Sequence, residues 1–137
     1  MSSFAQQVAR FNDNAERKTK ETFRNSVQAL AQESNALEKG EGGRMKLKTG
    51  FLRASQAVSL NDRPRGPTQG DPGTTYNTRI GQSPTEALAR WNGDEAVYIG
   101  WTAEYAVFRE FRDGFARGAA EKWPRIVETF AKLADSR

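Results

Sequence analysis

The sequence predicts an α+β fold: a long N-terminal helix and a C-terminal helix packed on a small antiparallel β-sheet, with a long flexible loop. Three observations predict it. Apolar residues recur every three or four positions in the first forty residues and again near the C-terminus. Between these stretches, Glu95-Ala-Val-Tyr-Ile-Gly-Trp101 places Val97, Ile99 and Trp101 on one face and Tyr98 on the other, as a half-buried strand does. Residues 61–75 hold three prolines and three glycines and no larger apolar side chain, so a regular element is not expected there.

The first helix is expected over residues 1–39. Phe4, Val8, Phe11 and Ala15 set up a stripe that resumes at Phe23, Val27, Leu30 and Leu37, and Gly40 follows as the stop. Such a helix is roughly 50 Å long, more than the diameter of a domain this size, so its stripe needs a partner beyond the chain itself. Thr49 can cap a short helix, and Leu52, Ser55, Ala57 and Leu60 suit either its buried side or a strand; a short helix followed by an extended stretch from Ala57 is expected. The 61–75 loop is expected to be mobile alone and to order in an assembly. Ser83-Pro-Thr-Glu86 opens a further helix to about Trp91, with Ser83 as cap, Pro84 at the first position and Glu86 returning a bond. Asn92-Gly-Asp94 turns the chain into the strand. Tyr105, Ala106, Phe108, Phe111 and Phe115 suit either a helix or an irregular aromatic corner. The last helix runs from Gly114 to about Ala134, where Pro124 imposes a choice. Either the helix kinks near Ala120, or Trp123 ends a short turn and Pro124 starts the main helix. The chain is read as one domain, 1–137, with residues 76–137 as its strand-and-helix core.

Composition narrows the chemistry. The chain of 137 residues contains no cysteine and no histidine, which removes the thiol nucleophile, the commonest general base and the commonest zinc ligand. Its acids are scattered as surface partners of lysine and arginine rather than paired for hydrolysis or clustered for a metal. Gly40-Glu-Gly-Gly43 lacks both the Lys-Ser/Thr and the preceding strand of a phosphate loop. No catalytic residue, cofactor or metal is expected, and the chain is not read as an enzyme. Neither a signal peptide nor a membrane span is expected, so synthesis in a cytoplasm is.

Charge is uneven. Between Arg44 and Arg65 six basic residues face Asp62 alone, giving that strip +5 within a net charge of +4. It suits phosphate or an acidic partner surface, or is simply a solvated loop edge. Tyr98, Trp101, Tyr105, Phe108, Phe111 and Phe115 raise the idea of a stacking platform for single-stranded nucleic acid. Glu104, Glu110 and Asp113 run through that stretch, and the aromatic spacing favours core packing instead.

The order of elements also carries a resemblance. Thr49-Gly50-Phe51-Leu52-Arg53-Ala54-Ser55 follows the long helix; later come Tyr105-Ala106, Glu110-Phe111 and Gly114-Phe115 before the closing helix. This pattern resembles the tail-completion and head–tail joining proteins of long-tailed bacteriophages, the lambda minor tail protein Z-like group. Arg112-Asp113 intervene where that group has a glycine directly after the Glu-aromatic pair. The resemblance implies a structural virion protein at the tail or neck that assembles as a homo-oligomer, usually a hexameric ring. Its partners would be the tail tube or terminator and the head connector, with packaged DNA in the lumen and no membrane. The candidate oligomer-interface residues are Phe4, Val8 and Phe11. Arg53, Arg63 and Arg65 are the candidates to contact DNA or the adjoining ring. The competing reading makes the chain a nucleic-acid-associated binding module using the basic 44–65 strip.

Overall fold

The computed structural model describes residues 3–46, 50–64, 66 and 83–136. Its elements are α1 (Phe4–Ser34), α2 (Phe51–Ala54), β1 (Gln56–Leu60), α3 (Ser83–Arg90), β2 (Val97–Trp101), α4 (Ala106–Asp113), α5 (Phe115–Ala120) and α6 (Trp123–Asp135). The fold is α+β, with a long N-terminal helix, a C-terminal helix and a two-stranded antiparallel sheet.

Helix α1 starts where its backbone donors are satisfied. Ser3 Oγ accepts from the Gln6 amide, and Gln6 Oε1 accepts from the Ser3 amide, a reciprocal cap. The helix ends at Ser34 rather than residue 39. Asn35 is the cause: it is buried, its Oδ1 accepts from Trp101 Nε1 (2.8 Å) and its Nδ2 donates to the Arg53 carbonyl (3.2 Å). These bonds fix the chain to α2 and β2 and divert it from the helical path. Leu37 leaves the stripe and pairs with Met45 in an isolated β-bridge. Gly43 sits so close to Ala36 that a Cβ there would lie 2.0 Å from the Ala36 carbonyl oxygen, so only glycine closes this turn.

β1 and β2 pair with Gln56 opposite Trp101, Val58 opposite Ile99 and Leu60 opposite Val97. The Gln56 side chain donates from Nε2 to the Ala31 carbonyl (2.8 Å), locking the sheet to α1. Around this junction Leu37, Met45, Leu52, Ala103, Ala106 and Phe115 form a buried cluster, with Trp101 edge-on to Phe115 at 4.8 Å. The core is thus not confined to residues 76–137, since Leu37, Met45 and Leu52 supply half of the cluster. The short helix and extended stretch expected after residue 48 are α2 and β1. Thr49, expected as the cap, lies outside the described residues. So do the side chains of Ser83 and Pro84 and most of the 61–75 loop.

The C-terminal segment is two helices, not one. Gly114, at φ +67°, ends α4 and precedes α5, and Pro124 lies in the first turn of α6, where its missing donor has no role. The second of the two arrangements offered for Pro124 is therefore the one adopted. α6 packs along α1, with Ala131, Ala134 and Asp135 beside Phe11, Ala15 and Thr22, and with Lys122 bonded to Glu33 near the other end. The two helices therefore run antiparallel.

Candidate assembly surface

The stripe of α1 divides into a covered half and a bare half. Phe23 stacks on Trp91 (centroids 4.6 Å apart) and meets Trp123 edge-on at 6.4 Å. Val27 and Ala31 are buried, and Arg24 lies over the Trp91 ring while donating to the Trp91 carbonyl. This half rests on α3, α5 and α6. α6 stops level with Phe11, and every residue from Ser3 to Arg17 is exposed. Phe4 is 81% exposed, Phe11 72% and Val8 41%. The three candidate interface residues therefore stand on one uncovered ridge at the free end of the helix, spaced to present a single face.

The two described basic candidates, Arg53 and Arg63, line different grooves. Arg53 is folded inward, its side chain 11% exposed and its Nη2 2.5 Å from Glu41 Oε1, so it serves the fold rather than offering a free charge. Arg63 is exposed beside the groove formed with Tyr98 and Val107, and Arg65 lies outside the described residues.

The aromatic stretch departs from the core-packing expectation. Phe115 is buried and Trp101 half-buried, but Phe111 is 81% exposed, Phe108 58% and Val107 82%. Helix α4 is held from its other side. Glu110 accepts from the amides of Ala116 (2.8 Å) and Arg117 (3.0 Å), capping α5, and Asp113 is buried with Lys46 and Arg109 beside it at 3.8 and 3.6 Å. These anchors turn the outer face of α4 to solvent. The signal lay in Val107-Phe-Arg-Glu-Phe-Arg112, whose arginines alternate with aromatics as on an exposed face rather than a core one. Between α4 and residues 37–46 and 50–53 runs a groove of about 670 Å³, lined by Lys46, Arg53, Arg109 and Arg112 together with Tyr105 and Phe108. Sequence reasoning did not assemble it, because Lys46 and Arg112 are far apart in the chain.

Among the described residues no group of three or more acidic, histidine or cysteine side chains is placed to hold a metal ion, and no helix is long and apolar enough to cross a membrane. No family model, curated protein or solved structure matches the chain.

Proposed function

We propose that this chain is a structural joining protein of a bacteriophage particle, a tail-completion or neck component that works as a ring of identical copies between the tail and the head connector. The observation that carries this reading is the exposed apolar ridge of Phe4, Val8 and Phe11 on a helix end that the described residues leave uncovered. Each large apolar side chain buried at an interface contributes about 1.5–3 kcal/mol before the costs of association, so such a ridge favours assembly. A ring needs a heterologous contact, in which one patch meets a different patch on the next copy, and a projecting helix end supplies the protruding half of that pair. The order of the Thr-Gly-x-Leu, Tyr-Ala and Glu-aromatic segments points to the phage setting in particular.

The test is made on the particle. Mass spectrometry of purified virions is expected to find the chain at ring-like copy number, and antibody labelling to place it at the neck. Virions lacking the chain would remove the reading.

A further inference from the structure

The bare face of α4 and the groove beside it have a chemistry distinct from the α1 ridge. Four cations line the groove, and the two carboxylates paired with them, Glu41 and Asp113, leave a local excess of positive charge. Arg53 and Arg109 are mostly covered and paired with Glu41 and Asp113, while Lys46 and Arg112 reach solvent and carry the excess. The Arg112 guanidinium lies 5.8 Å from the centre of the Phe108 ring, the packing a cation adopts on an aromatic face. Tyr105 and Phe108 line the same groove, and Phe111 stands exposed one helical turn beyond Phe108. Two of the three acids that ran through this stretch are spent inside the protein: Glu110 caps α5, and Asp113 is buried between Lys46 and Arg109. The third, Glu104, is exposed in the groove beside Tyr98, ahead of α4, and the outer face of α4 itself presents aromatic rings edged by basic groups.

We propose that this groove and the outer face of α4 bind single-stranded nucleic acid, with unpaired bases stacked on Phe108 and Phe111 and phosphates met by Lys46 and Arg112. Exposed rings stack on any base but only when it is unpaired, so the rings select single strands over duplex. Two reachable cations meet about two phosphates, which sets a shallow salt dependence with a slope of about −1.4 on a log–log plot. The site differs from the 44–65 strip as a whole and stands whether or not the chain forms rings.

The experiment is fluorescence anisotropy of a labelled twelve-nucleotide oligo(dT) with the full-length protein, across a salt series. Binding is expected at low salt, weaker for a duplex of the same length. Phe108→Ala is expected to weaken it about tenfold, and Phe108→Tyr to restore most of it. Arg112→Ala is expected to halve the salt slope to about −0.7, and Arg125→Ala on α6 to change nothing. Phe108 and Arg112 are both exposed, so each variant is expected to fold, and circular dichroism is the check. Absence of binding at low salt overturns the proposal. So does preference for duplex, or competition by polyglutamate as effective as by oligo(dT) with Phe108→Ala without effect, since that marks an unspecific anion surface.

Discussion

Asn35 shows how one polar side chain redirects a helix. Its two hydrogen bonds to Trp101 and to the Arg53 carbonyl are made in a buried setting, where an orphaned donor or acceptor costs about 1–3 kcal/mol. Asn35→Ala is therefore expected to lower unfolding stability by about 2 kcal/mol, measured by urea denaturation, because it strands both partners. Nothing in the local sequence marks this residue. It stands in a helical pattern that continues through Leu37, and the bonds that stop the helix come from residues 18 and 66 positions away. Glu16 works locally instead. The hydrogen bond from Lys20, and then its charge, hold the Glu16 carboxyl below its ordinary value of 4.5. A carboxyl depressed in the folded state stabilises the helix above its unfolded value, and that contribution disappears as pH falls through the folded one. The helical signal attributable to this pair is thus expected to hold from pH 7 to about 4.5 and to fall only below it. Glu16→Gln should remove that acid-side component from a circular dichroism titration.

Helix α1 is one continuous element with two energetic regimes. Phe23 is clamped between two tryptophans, and Phe23→Ala is expected to cost about 3 kcal/mol by the usual penalty for removing a packed aromatic. Phe4→Ser and Phe11→Ser remove side chains that touch little within the protomer, so each should change the stability of the monomer by no more than about 0.5 kcal/mol. Thermal unfolding at low protein concentration separates the two cases. The helical period and β2 were plain in the sequence, because each rests on neighbours in the chain; the short helix before β1 was preferred over a strand without a deciding period, and at Pro124 a kink and a break were both open. Which half of the stripe is covered was not plain, because that depends on where α6 ends against α1. The outward face of α4 had a signal in the arginines set among the aromatics of Val107–Arg112, but which side of the helix is held was hidden for a related reason. Its orientation is decided by Glu110 capping α5 and by Lys46 reaching Asp113, contacts that no spacing rule reveals.

Taken whole, the described molecule keeps its two exposed apolar surfaces, the α1 ridge and the outer face of α4, apart from each other. The core gathers around Trp101 and Phe115, the apolar ridge projects with the free end of α1, and the cations collect beside α4. The chain holds neither cysteine nor histidine, and among the described residues the most exposed large apolar side chains gather on the α1 ridge and on the outer face of α4. Of the described residues of the basic strip, Arg53 is drawn inward to Glu41 while Arg63 remains exposed. Sedimentation velocity on the full-length protein and on the Phe4→Ser, Val8→Ser, Phe11→Ser triple variant, from micromolar to hundreds of micromolar, weighs the assembly reading. The wild-type protein is expected to shift to a closed oligomer with rising concentration while the variant stays a folded monomer. Wild type and variant sedimenting alike as monomers over the whole range would contradict the role assigned to the α1 ridge.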